Sequence, residues 1–276
     1  MKKVGFLPMW IDSYDAMDCE KMREYSIKGI GSNILYHDFP GKEKPILFIH
    51  GLGCAGTFYY PDVATQKPLQ NHRRILVDLL GAGYSDKPDG FCYTIKDHAK
   101  YLLEFVESIG LESFVLFGHS MGGAVALSMA QMDTNGISQI ILSESTLNKS
   151  REGSISKYIA GFTEKEFVEQ GFQRLIKESE ETGYGIWAAS LRMWSAKAAY
   201  RASRNLSVGE NPSWRDILYS LNIPKTFIFG EKSLPNPDLE ILPEHGVKVD
   251  IVEHAGHSMA WENPKGLAEA IGKAIV

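Results

Sequence analysis

A short, unbroken run of apolar residues that stops at a polar residue or a glycine recurs along this chain. It appears at Pro45–Ile49, Arg74–Asp78, Phe114–Phe117, Ile137–Leu142, Thr226–Phe229 and Val247–Val252. A strand with one face in water alternates apolar and polar side chains, whereas an unalternating run suits a strand buried on both faces of a mostly parallel sheet. Between these runs lie the helical segments Ile95–Ser108, Met121–Met132 and Pro264–Ile275. In Ile95–Ser108 the residues Ala99, Leu102, Leu103, Val106 and Ile109 follow helical spacing. Alternating strands and helices predict an α/β fold, a mostly parallel sheet with helices on both faces. Two earlier strands, Tyr25–Ile30 and Asn33–Asp38, flank a turn with Gly29 and Gly31 and read as a hairpin.

One stretch breaks the alternation. From about Thr146 to Leu221 the pattern is helical with no buried strand. Within it Trp187, Leu191, Trp194 and Ala198 are spaced to share one helical face, and Trp214 opens a further helix after Asn211-Pro212-Ser213. At 276 residues the chain is long enough for one large domain or two smaller ones. The expectation is a single core formed by residues 1–145 and 222–276, with residues 146–221 inserted as a helical cap, or lid, whose Trp187, Trp194, Trp214 and Tyr184 form an apolar wall.

Composition excludes several classes. With 44% apolar and 23% charged residues, the chain is neither disordered nor fibrous. Its 29 basic against 34 acidic side chains, a net charge of −5 and no basic run argue against nucleic-acid binding. Cys19, Cys54 and Cys92 are odd in number and far apart, as expected for reduced thiols rather than a disulfide framework. No stretch approaches the ~20 apolar residues of a membrane span. Lys2 and Lys3 precede an apolar run from Val4 to Ile11, but Pro8 interrupts it and no small-x-small cleavage site follows, so a structural extension and a cytoplasmic location are expected. Nothing supplies His and Cys at metal spacing, so no metal is expected and Asp78 is read as ordering the loop after its strand. Gly81-Ala-Gly83 lacks the third glycine and the helix of a dinucleotide fingerprint, and no cofactor is expected.

The chemistry concentrates at Gly118-His-Ser120-Met-Gly122-Gly123, placed between the run Phe114–Phe117 and the helix-compatible Gly123-Ala-Val-Ala126. A sharp strand-to-helix turn holds a serine hydroxyl exposed and strained, and glycines flank it because a Cβ would clash in so tight a bend. The following helix also points its free N–H groups at developing negative charge.

From about Tyr25 onward the chain resembles the α/β-hydrolase superfamily. Four landmarks stand in that family's order: His50-Gly-Leu-Gly53, Asp78-Leu-Leu-Gly-Ala-Gly-Tyr-Ser-Asp86, the serine turn, and Gly256-His257. The resemblance implies an eight-stranded, mostly parallel sheet with a cap insertion, Ser120 as nucleophile, and chain order serine, acid, histidine. His245, His254 and His257 are the late histidines that follow Ser120. His245 precedes the last strand, at its wrong end; of the two after it, His257 matches the family's loop. His119 and His50 are expected to shape and brace their loops. The family's usual acid position, after the penultimate strand, holds Ser233 here. An alternative position after the sixth strand, used by one branch of haloalkane dehalogenases, holds Glu144. Glu144 is therefore the expected acid, with Glu231 and Asp238 as alternatives.

The backbone N–H groups of Leu52 and Met121 are the expected oxyanion hole, each donor of this kind contributing roughly 3–4 kcal/mol. Cys54 beside them is read as a small packing residue. Dehalogenases and epoxide hydrolases of this superfamily use an Asp nucleophile, and dehalogenases carry a halide-binding Trp where this chain has Met121. A serine favours acyl transfer. The reading is a serine hydrolase acting on a small or medium apolar carboxylic ester, with Trp187 and Trp194 as substrate-binding residues. Two alternatives stay open: cleavage of a C–C bond, amide or thioester, and a non-catalytic ligand-binding protein of the same fold.

Overall fold

The computed structural model describes residues 22–276. Cys19 and the run Val4–Ile11 lie outside the described residues. The strands are β1 (Arg23–Ile27), β2 (Ser32–Phe39), β3 (Glu43–Ile49), β4 (His72–Val77), β5 (Phe114–His119), β6 (Ile137–Ser143), β7 (Lys225–Gly230) and β8 (Lys248–Val252). They form one eight-stranded sheet in the order β1-β2-β4-β3-β5-β6-β7-β8. β2 pairs antiparallel with β1 and β4; every other pairing is parallel. The unalternating runs therefore behave as read: Leu47, Phe48, Leu116, Phe117, Ile140 and Ile141 are all fully buried. Their side chains divide between two apolar clusters, with Leu47, Leu116 and Ile140 in one and Phe48, Phe117 and Ile141 in the other.

Helix α1 (Ile95–Ser108) begins at Thr94, whose hydroxyl accepts from the Asp97 N–H, and it buries Ile95, Ala99, Leu102, Phe105 and Val106 against the sheet. Helix α2 (Met121–Met132) is buried almost throughout, as its even coverage by Met, Ala, Val and Leu requires. Between β6 and β7 the described chain is helical: α3 (Ile155–Ala160), α4 (Phe172–Glu181), α5 (Gly185–Leu191), α6 (Ala196–Val208) and α7 (Trp214–Ser220). Helix α8 (Pro264–Ala274) closes the chain.

The residues Trp187, Leu191, Trp194 and Ala198 do not lie along one helix. α5 ends at Leu191, and Ser195 caps a new helix by accepting from the Ala198 N–H. Trp214 is likewise no part of a cap wall: fully buried, its indole N–H donates to the Ser128 hydroxyl of α2 at 3.2 Å, so α7 packs on the core.

Asp78 orders the loop after β4. Its fully buried carboxylate accepts from the Thr57 N–H (2.9 Å), the Thr57 hydroxyl (2.8 Å) and the Tyr84 N–H (2.9 Å). A Cβ on Gly83 would collide with that carboxylate, which is why glycine stands there at φ +54°. Asp78→Ala strands three donors without an acceptor and should lower the unfolding free energy by about 3 kcal/mol or more. Urea denaturation measures this; a loss under about 1 kcal/mol contradicts the role.

Candidate active site

Ser120 sits where β5 turns into α2, at φ +52° and ψ −118°. A non-glycine residue held there is strained, and the surrounding backbone enforces it. A Cβ on Gly122 would run into the carbonyls of Ile49 and His50, and one on Gly118 into Gly122. The Ser120 N–H donates to the Ser143 carbonyl (3.0 Å) and the Thr146 N–H to the Ser120 carbonyl (3.1 Å), tying the turn to the exit of β6.

Glu144 is the first residue beyond β6, also at positive φ (+45°). Its N–H donates to the Ile228 carbonyl of β7 at 3.1 Å, and one carboxylate oxygen accepts from the Gly230 N–H at 2.8 Å. The other oxygen lies 3.8 Å from Nδ1 of His257, an ion-pair separation longer than a hydrogen bond. Burial pushes the Glu144 carboxyl up, but the His257 ring, the Gly230 N–H and the Ser233 hydroxyl together hold it below its ordinary value. Ser233 stands in the family's usual acid position, and its hydroxyl is the smallest of these influences on Glu144.

The alternatives are committed elsewhere. Asp238 forms a bidentate pair with Arg215 at 2.8 and 2.9 Å. Glu231 accepts from the backbone N–H of His254, whose side chain is exposed.

His257 is half exposed and lines, with Ser120, a cavity of about 760 Å³. Among the described residues Ser120 and His257 share no direct hydrogen bond; such bonds often tighten only when substrate is bound. His119 is buried beside them. Its Nε2 donates to the His257 carbonyl at 2.7 Å, and its ring lies 4.9 Å from that of His257. Burial, then the neighbouring His257, drive its pKa down to about 3, so the ring is neutral with its proton on Nε2.

The loop Gly51–Cys54 passes close to Ser120. His50 braces it: Nδ1 donates to the Gly51 carbonyl at 2.9 Å, while Nε2 accepts from the Leu79 N–H at 3.0 Å. Among the described residues the Leu52 and Met121 N–H groups have no protein acceptor, so both are free donors. Cys54 is buried, and burial pushes its thiol up to about 12, which suits a packing residue.

Trp187 and Tyr184 line the cavity. Trp194 does not. It is buried, its indole donates to the Cys54 carbonyl at 2.6 Å, and its ring meets His50 edge-on. Residues that the sequence reading did not single out complete the cavity, among them Tyr59, Ile155, Tyr158, Leu175 and Ser258. Ile155, Tyr158 and Leu175 stand in helical segments whose apolar spacing says "buried" without saying against what. No group of His, Cys, Asp or Glu able to hold a metal occurs among the described residues.

The alpha/beta hydrolase fold family matches residues 44–264, and the chain belongs to that family. It is 31% identical over 140 residues to a probable lysophospholipase, BODYGUARD 4 of Arabidopsis thaliana, a match covering 50% of this chain and 31% of that protein. It thus spans about a third of that relative's length. An uncharacterized carboxylesterase, nap, of Bacillus subtilis is 23% identical over 251 residues, 84% of this chain and 79% of its own. Among solved structures, the esterase EaEST from Exiguobacterium antarcticum superposes with a TM-score of 0.73 at 20% identity, covering 88% of this chain and 95% of the other. No helix among the described residues is long and apolar enough to cross a membrane.

The buried histidines set a pH dependence. His50, His98 and His119 are lowered from 6.5 by burial, His98 and His119 to about 3. In the unfolded chain they bind protons near 6.5, so the stability they contribute is present above that value and lost as pH falls toward 3. The unfolding free energy should fall below pH 6.5 by about 1.4 kcal/mol per pH unit for each proton taken up. Urea titrations at pH 7 and 5 test this, and equal stabilities contradict it.

Proposed function

We propose that this α/β hydrolase is a serine esterase that cleaves small or medium apolar carboxylic esters through an acyl-enzyme. The observation that carries the reading is the convergence of three side chains from separate loops: strained Ser120 and half-exposed His257 on one cavity, and ionised Glu144 behind His257. In this reading His257 takes the hydroxyl proton as Ser120 attacks the ester carbonyl. The Leu52 and Met121 N–H groups receive the oxyanion. His257 then protonates the departing alcohol, and water releases the acyl group by the reverse sequence. Glu144 fixes the imidazole tautomer and stabilises its charged form. The helices between β6 and β7 serve as the cap, and the apolar side chains Leu52, Ile155, Leu175 and Trp187 support an apolar acyl or alcohol group.

A fluorophosphonate probe should label the protein stoichiometrically, and Ser120→Ala should abolish the labelling. A panel of aryl and alkyl esters of increasing acyl length should give measurable turnover. Absence of both would favour a ligand-binding protein, while turnover confined to amides, thioesters or diketones would move the reaction class. Glu144→Gln should lower kcat by about 10³–10⁴ with the fold retained, whereas Asp238→Asn and Glu231→Gln should leave kcat within about threefold. A large loss in either of those, with none in Glu144→Gln, contradicts the assignment of the acid.

A further inference from the structure

The loop that carries the Leu52 N–H is held from above by two indoles of the segment between β6 and β7, Trp187 on α5 and Trp194 in the turn before α6. The Trp187 N–H donates to the Leu52 carbonyl at 3.0 Å, and the Trp194 N–H donates to the Cys54 carbonyl at 2.6 Å. Gly53 between them adopts φ +76°, and a Cβ there would strike the Trp187 ring, so that indole lies directly on the loop backbone. A third tie follows immediately: the Ser195 N–H donates to the Gly81 carbonyl of the loop after β4 at 2.8 Å. From below, His50 holds the Gly51 carbonyl, which also accepts from the Cys54 N–H at 3.2 Å.

Three of the four peptide carbonyls from Gly51 to Cys54, those of Gly51, Leu52 and Cys54, have identifiable donors, which leaves this loop little freedom to rotate its peptide planes. The adjoining Leu52 N–H, by contrast, has no protein acceptor. Leaving one free donor amid anchored carbonyls is the requirement for a preorganised anion site, because reorientation during reaction would forfeit most of its effect.

We infer that Trp187 and Trp194 are positioning residues: they set the Leu52–Cys54 backbone so that the oxyanion donor is complete only when the cap is seated. The inference rests on the esterase reading and deepens it, since it makes the cap a working part of the oxyanion hole as well as a wall. Trp187 is the more informative of the two. It is half-buried and lines the cavity, so substrate entering past it meets the same side chain that orders the loop. Trp194 is buried and acts at the loop's far end.

Trp187→Phe keeps an aromatic wall and removes the donor. It should lower kcat for an ester substrate about tenfold or more while KM stays within about threefold. The affinity for a trifluoromethyl ketone analogue of that ester, which forms a tetrahedral adduct, should fall by the same factor as kcat/KM. Hydrogen exchange of the peptide covering residues 50–56 should quicken in this variant, with the β5 and β6 strands unchanged. Raised KM at constant kcat would make Trp187 a wall only and overturn the inference, as would unchanged exchange in the 50–56 segment. Exchange needs no turnover, so it reads the loop even if wild-type protein hydrolyses no ester. Failure of fluorophosphonate labelling in wild type would signal that separate failure. If Trp187→Phe melts early, Trp194→Phe takes its place, and a native melting midpoint with unchanged kcat there contradicts the inference equally.

Discussion

The parallel pairing of β5 with β6 is the constraint on which the site depends. Phe117 lies opposite Ile141, Gly118 opposite Leu142 and His119 opposite Ser143, so the two strands end together. Their next residues, Ser120 and Glu144, both leave the sheet at positive φ, and both are tied back by main-chain hydrogen bonds. A slip of one residue would turn every side chain of β6 to the opposite face. It would bury the carboxylate in the core or withdraw it from His257. The sheet's core packing therefore fixes the separation of the two groups, and the proposed chemistry inherits that register.

The proposed reaction also requires a free N–H beside the serine, which binding of the neighbouring carbonyls would supply. His50, deprived of its charge by burial, uses one ring nitrogen as donor and the other as acceptor to join the Gly51 carbonyl to the loop after β4. Asp78 orders that second loop through Thr57 and Tyr84. His119 spans in the other direction, to the backbone of His257. None of these buried groups needs to touch a substrate. They bring loops after β3, β4, β5 and β8 into one rigid frame, and they explain why buried polar residues cluster beneath the cavity.

Much of this was legible in the sequence, and what was not had a physical cause. The helix bounds Ile95–Ser108 and Met121–Met132 and the order of the strands follow from local periodicity and caps, which are properties of neighbouring residues. Glu144 could be named because the family's chain order and the strand ends point to it, and in the structure its carboxylate lies 3.8 Å from the His257 ring. The tryptophans could not be assigned. The spacing of four, three and four from Trp187 through Leu191 and Trp194 to Ala198 is that of one helix, but Ser195 starts a new one, and a cap of that type weighs little beside an apolar stripe in a sequence. Their true partners, the carbonyls of Leu52 and Cys54, are 135 and 140 residues away and are backbone atoms. Side-chain pattern carries no signal for such contacts. Trp214 departs from the expected wall for a related reason: an apolar helix face does not announce whether the core or a cap covers it.

The central claim is that Ser120 carries the acyl group, and trapping it is the most direct measurement. Acid-quenching the protein during turnover of an activated aryl ester, followed by mass spectrometry of its peptides, should find the acyl mass on the peptide containing Ser120, with no such adduct in Ser120→Ala. Turnover without an adduct, or an adduct on Cys54 or another residue, would contradict the account.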